Sequence, residues 1–141
     1  MKLDFGSGFA PVKGWATLDS GANCTFNSIE EIPDNSISKI RFRNVLHHIE
    51  NLDELFQKLR PKFRKNVKII IIECRKECYQ ANLFLDVLWY RSLVPNPSLY
   101  IAVEYRDYRI NLSKLGFSIK LQRMVDEKEE VVFSKGVYCE N

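Results

Sequence analysis

Two glycines around a serine, Gly6-Ser7-Gly8, follow directly on the short strand-like stretch Lys2 to Phe5. A glycine turn at the end of a strand lets a ligand approach the backbone closely, and free amides beyond it bind a polar group. The same triplet also reads as an ordinary tight turn. Asp19 favours the ligand reading, because it falls at the end of the next strand candidate, Trp15 to Leu18. In doubly wound folds a carboxylate there accepts from both hydroxyls of a ribose. Strand, glycine turn, strand, terminal acid is a nucleoside-binding arrangement. The dinucleotide fingerprint G-x-G-x-x-G is not met, since Pro11 stands at its third glycine and no helical pattern follows. A pyrophosphate needs a helix N-terminus, so NAD, NADP and FAD are disfavoured.

His47 and His48 are the only histidines, and they follow the alternating stretch Ser38 to Asn44. Histidine is suited to general-base work near neutral pH. Ligands in open α/β sheets bind at the carboxyl ends of strands. Adjacent residues point in different directions, so one of the two at most faces such a site. The other reading is a histidine that packs or is solvated at a helix start. No third ligand lies nearby in sequence, and no metal site is expected. The four cysteines, Cys24, Cys74, Cys78 and Cys139, form no C-x-x-C pair. They are expected to be reduced structural thiols of a cytoplasmic protein.

These residues need a scaffold, and the composition allows one. The 141 residues make a single domain, 1–141, large enough to bury a core without a disulfide or metal. With 45% hydrophobic and 28% charged residues, disordered and low-complexity classes are excluded. The net charge of +3 does not argue for nucleic acid. Basic residues cluster between Lys58 and Lys68, which reads as a solvated helix end and loop. The longest purely aliphatic run, Ile69 to Ile72, has four residues. A membrane helix needs about 20, so none is expected, and the N-terminus lacks the apolar region of a signal peptide.

Strands are expected at Lys2 to Phe5, Trp15 to Leu18, Cys24 to Phe26 and Ser38 to Asn44, the last with Ile40 and Phe42 on one face. Glu30 to Ser36 reads as a loop. Leu52, Leu55, Phe56, Leu59 and Phe63 recur at helical spacing, with Asn51 as N-cap and Pro61 as the stop. Val67 to Cys74 is a β-branched run, expected to be buried on both faces as in a parallel sheet. A long helix, about Lys76 to Leu93, and a shorter one, Arg106 to Leu115, follow, with Gly116 as the C′ glycine. Phe117 to Met124 and Glu130 to Cys139 are strands around the charged turn Asp126-Glu127-Lys128-Glu129. Tyr90, Tyr100, Tyr105 and Tyr108, with Pro95 and Pro97, make an aromatic segment that reads either as a lid over an acceptor or as core packing.

Leu3-Asp4-Phe5-Gly6-Ser7-Gly8 resembles the first motif of class I S-adenosylmethionine-dependent methyltransferases, hydrophobic-D-x-G-x-G. Ile29 to Ser36 looks like that family's segment after its third strand, and Val45-Leu46-His47-His48-Ile49 like its segment after the fourth. Leu59 through Ile72 and Leu112 to Phe117 resemble two later passages, so the likeness spans nearly the whole chain in order. Gly14-Trp15-Ala16-Thr17-Leu18-Asp19 matches the G-W-x-x-x-D of small type-11-like members, often linked to surface polysaccharides.

The resemblance implies a Rossmann-like, doubly wound α/β fold. Its mostly parallel seven-stranded sheet would end in an antiparallel hairpin, with truncated N-terminal helices. It implies S-adenosyl-L-methionine as cofactor and a small-molecule or saccharide acceptor. Asp4, Gly6, Ser7 and Gly8 would face the methionine part, and Asp19 the ribose. Ser28 falls where the family has an adenine-reading Asp, and Ile29 beside the adenine ring. Asn44 would stand beside the reacting methyl, with His47 as the base. The chain departs from the pattern at Ala10, the third glycine, at Ser28, and at Ser38, where an acid is common. Only six residues, Phe9 to Gly14, separate Gly8 from Trp15. A parallel crossover usually needs about a dozen, so the first helix must shrink to a turn. The alternative is a methyltransferase-like binding or accessory module without turnover. A homo-oligomer is left open, and neither nucleic acid nor membrane is expected as a partner.

Overall fold

A computed structural model of the protein describes residues 1–6, 12–19, 24–46, 49, 51–73, 107–125 and 128–135. The elements are β1 (Lys2–Phe5), β2 (Ala16–Leu18), β3 (Ile37–Arg43), α1 (Leu52–Leu59), β4 (Phe63–Glu73), α2 (Tyr108–Lys114), β5 (Phe117–Val125) and β6 (Lys128–Lys135). They build one six-stranded sheet in the order β2-β1-β3-β4-β6-β5. The first four strands pair in parallel, and β6 runs antiparallel to both β4 and β5. This is the expected α/β sheet with a terminal antiparallel hairpin. The count differs, with six strands among the described residues instead of seven. Cys24 to Phe26 contributes one parallel bridge, Leu18 to Phe26, on the outer side of β2. β2 itself has only three residues, so it offers a third strand little to pair with.

Alternation sends Leu3 and Phe5, Ile40 and Phe42, Ile69 and Ile71, and Val131 and Phe133 to one face, where all are buried. Two helices close that face. The ring of Phe42 meets Phe56 of α1 edge-on at 5.9 Å, and Tyr108 of α2 meets Phe133 at 6.1 Å. α1 buries Leu52, Leu55, Phe56 and Leu59, spaced i, i+3, i+4 and i+7. Its start is fixed as the sequence predicts: Asn51 Oδ1 accepts from the Glu54 N–H at 3.0 Å. The helix ends at Leu59, and Pro61 sits in the 3-10 turn Arg60–Lys62. Phe63, expected on the helical stripe, begins β4 instead. The turn has already broken the helical period, so the ring reaches the core from a strand, edge-on to Phe117.

α2 begins at Asp107, whose Oδ1 accepts from the Arg109 N–H. It ends before Gly116, whose φ of 87° makes it the left-handed residue expected after the helix. Tyr108 is buried at 3% exposure, so this member of the aromatic segment belongs to the core. Its other aromatics lie outside the described residues, as do the expected helix Lys76 to Leu93 and Cys74, Cys78 and Cys139. Cys24 is a half-buried free thiol. β4 is less enclosed than expected: Lys68 is exposed and Ile70 half-buried on the face turned away from α1. No helix among the described residues is long and apolar enough to cross a membrane.

Candidate functional site

The chain passes from β1 outward to β2 and then returns to lay β3 on the other side of β1. Strand order therefore reverses between β1 and β3, and ligands of open α/β sheets bind outside the carboxyl ends at such a point. Gly6 and Asn44 follow the two strands that flank it, and Asp19 follows β2. Register confirms their closeness, because Phe5 is paired with both Leu18 and Phe42.

Gly6 turns the chain with φ of 68° and donates its N–H to the Leu18 carbonyl at 2.8 Å. It also lies against Val45, just past Asn44. A Cβ on Gly6 would sit 2.6 Å from Val45 Cγ2, so only glycine fits as the turn stands. Ser7 and Gly8 lie outside the described residues. The carboxylate of Asp4 is 1% exposed. Its Oδ2 accepts from the Val12 N–H at 3.0 Å, which ties the far end of the glycine loop back to β1. Arg41, its register neighbour on β3, brings Nε to 3.3 Å of Oδ1. That is an ion-pair distance, though Nε lacks hydrogen-bond geometry.

Asp19 is half-buried directly after β2. Its N–H donates to the Phe26 carbonyl at 3.3 Å, and its carbonyl accepts from Asn27 Nδ2 at 3.1 Å. Asn27 in turn donates its backbone N–H to Glu31 Oε2 at 2.8 Å. Ser28 precedes the 3-10 turn Ile29–Glu31 and makes no side-chain cap bond there. Ile29, half-buried, packs on the core. The segment carrying Ser28 and Ile29 is thus held beside Asp19 by main-chain and amide bonds.

Asn44 adopts a left-handed φ of 52°, a conformation asparagine tolerates better than most residues. Its N–H donates to the Ile72 carbonyl at 2.9 Å. Its Oδ1 accepts from Lys128 Nζ at 2.7 Å. With the oxygen occupied by the ammonium, the amide NH2 is the group left to meet a ligand. His47 and His48 lie outside the described residues. Among the described residues, no group of three His, Cys, Asp or Glu could hold a metal.

Two side chains at this edge escaped the sequence reading. Glu73 ends β4 at 5% exposure, and its Oε1 accepts from the Leu46 N–H at 2.9 Å. A carboxylate closing a run of four isoleucines is a visible signal, since buried acids are rarely left without a role. Lys128 gave none: the sequence reads it as part of a charged turn, whereas it opens β6, and only the antiparallel return of that strand beside β4 brings it to Asn44. Glu129 follows it, bonded to Arg109 and Gln122.

No protein-family model matches the chain, and no curated protein matches it either. Solved structures do. One is a provisionally assigned type 11 methyltransferase from Sulfolobus solfataricus, with TM-score 0.63 and 19% identity over 96% of this chain and 84% of that one. Another is described as a SAM-dependent methyltransferase from Methanosarcina mazei, with TM-score 0.64 and 11% identity over 95% and 91%. A third is described as an S-adenosylmethionine-dependent methyltransferase from Mesorhizobium loti, with TM-score 0.64 and 12% identity over 95% and 90%. Identities this low speak to the fold alone.

Proposed function

The fold is that of class I S-adenosylmethionine-dependent methyltransferases, and we propose that this chain binds S-adenosyl-L-methionine and transfers its methyl to a small-molecule or saccharide acceptor. The observation that carries the reading is the edge just described. Gly6, Asp19 and Asn44 follow three adjacent parallel strands at the point where strand order reverses.

The residues present fit the group. Gly6 brings bare backbone to the edge at a place a Cβ would fill. Neighbouring strands are about 4.8 Å apart, so Asp19 stands one strand away with two acceptor oxygens for a ribose diol. Gly6, Ser7, Gly8 and Asp4 would border the methionine part, Ser28 and Ile29 the adenine. When bound, the cofactor supplies an electrophilic methyl on a sulfonium. The protein's task is then orientation, because an in-line displacement depends on reactants held about 3 Å apart. Asn44, with its oxygen fixed by Lys128, presents NH2 hydrogens that position an acceptor oxygen. His47 would take up the proton that a hydroxyl acceptor gives up.

Calorimetry with S-adenosylmethionine, S-adenosylhomocysteine and NAD tests the reading. Heat with the first two and none with NAD is the expected result; silence from all three would sink it. Once an acceptor is in hand, unchanged turnover in His47→Ala would remove the base. A second reading, a binding or accessory module without turnover, draws on the reduced front half: a three-residue β2 and a third strand shrunk to one bridge. It predicts S-adenosylhomocysteine binding with no methyl transfer to any acceptor.

A further inference from the structure

The two faces of the sheet are unlike. One is closed by α1 and α2. On the other, register sets side chains in rows across the strands. Lys2 stands beside Lys39, and Lys39 beside Lys68. With strands about 4.8 Å apart, the three stems span about 10 Å. Lys2 and Lys68 are exposed and Lys39 is half-buried. None of the three takes part in an ion pair among the described residues. Like charges directly opposite one another destabilise a sheet, so this ladder is a cost to the isolated chain.

The next row runs Asp4, Arg41, Ile70, Val132, Leu121. Its one acid is already engaged by Arg41 and the Val12 N–H. Ile70 and Val132 are half-buried, and Leu121 is 46% exposed. An apolar strip across β4, β6 and β5 therefore meets the lysine row at β4, where Ile70 stands two residues from Lys68. Parallel sheets are normally covered on both faces by the helices of their crossovers. Here neither the β1–β2 nor the β2–β3 connection supplies an α-helix among the described residues.

We propose that this face docks an acidic amphipathic helix of a partner protein, its apolar stripe on Ile70, Val132 and Leu121 and its carboxylates on Lys2, Lys39 and Lys68. A helix is the element that closes a sheet face in this architecture. Charge sets its sign. The chain's own stretch 74–106 does not match, since it carries four basic residues, Arg75, Lys76, Arg91 and Arg106, against three acids, Glu77, Asp86 and Glu104. A single-stranded nucleic acid matches poorly too, because neither row holds an aromatic ring on which bases stack.

The test is a displayed library of amphipathic helices with a fixed leucine stripe and glutamate, lysine or glutamine at each flanking position. It is panned against the full chain and against the Lys39→Glu/Lys68→Glu variant. The wild-type chain should enrich glutamate at the flanks. The best binder should lose about tenfold in affinity for the variant, the size expected of a few partly exposed ion pairs. The variant's melting midpoint should not fall, because reversal leaves one like-charge pair, 39 opposite 68, where the ladder had two, and makes the 2/39 pair attractive. Flanks without charge bias, or the same bias in the variant, would overturn the proposal. Heparin or a short RNA duplex binding more tightly than every acidic helix would do the same, as would self-association of the chain that the variant abolishes.

Discussion

The backbone of Gly6 rests on the side chain of Val45, so close that a Cβ there would fall 2.6 Å from Cγ2 and 3.1 Å from Cβ of the valine. The contact joins the ends of β1 and β3 across the point where strand order reverses. Gly14 also has positive φ, at 83°, yet nothing lies within 4 Å of its virtual Cβ. The pair separates two costs. Gly14→Ala should lose only the left-handed term, roughly 1–2 kcal/mol. Gly6→Ala should lose that and an overpacking term of roughly 1–3 kcal/mol more. Val45→Ala in the Gly6→Ala background should recover part of the second term. Urea denaturation of the three variants beside the wild-type chain reads this directly, and equal losses at the two glycines would contradict the contact.

Asp4 ties the glycine loop to the sheet through the Val12 N–H and stands beside Arg41. Asp4→Ala should cost roughly 1–3 kcal/mol, because the half-buried Arg41 and the part-buried Val12 N–H both lose their partner. Asp4→Asn keeps an acceptor for Val12 and should cost clearly less. Chemical denaturation of both variants checks the order.

Glu73 accepts from the Leu46 N–H in a nearly closed site. Glu73→Gln retains an amide oxygen for that bond and should cost less than the alanine variant. Glu73→Ala orphans the donor and should cost about 1–3 kcal/mol. Hydrogen exchange at the Leu46 amide would show the difference: protection should survive in the glutamine variant and fall in the alanine one.

Much of this fold was legible in the chain. The four residues Lys2 to Phe5, the Asn51 cap, the stop near Pro61 and the glycine after α2 all have local causes, and the structure has them where expected. What failed had non-local causes. Phe63 fits a helical period, but the 3-10 turn before it had already changed the geometry. Cys24 to Phe26 has strand character, but a three-residue β2 gives it one bridge to make. The isoleucine run of β4 suggested two covered faces, and on one of them register sets Arg41 beside a half-buried Ile70 and Lys39 beside an exposed Lys68, with Ile72 alone of the run buried there. At the candidate site, the places of Gly6, Asp19 and Asn44 directly after strands could be read from the sequence. Lys128 could not, because its place beside Asn44 depends on a strand pairing 84 residues along the chain.

Lys128 fixes the amide of Asn44, so its loss should act on orientation more than on folding. Lys128→Met should lower affinity for S-adenosylhomocysteine or slow transfer by about tenfold, the value of one charge-assisted bond of about 1.4 kcal/mol. Lys128→Arg should restore part of the effect. Calorimetry and single-turnover transfer, read side by side, assign the loss to binding or to the chemical step. A variant equal to wild type in both would remove Lys128 from the site.

The central claim is that the edge formed by Gly6, Asp19 and Asn44 holds S-adenosylmethionine. Titration calorimetry of S-adenosylhomocysteine into the wild-type chain and into Asp19→Ala tests it most directly, with circular dichroism confirming that both are folded. The account predicts one site per chain and a loss of at least about tenfold, or about 1.4 kcal/mol, in the variant. No heat with the folded wild-type chain, or equal affinity in the two proteins, would contradict it.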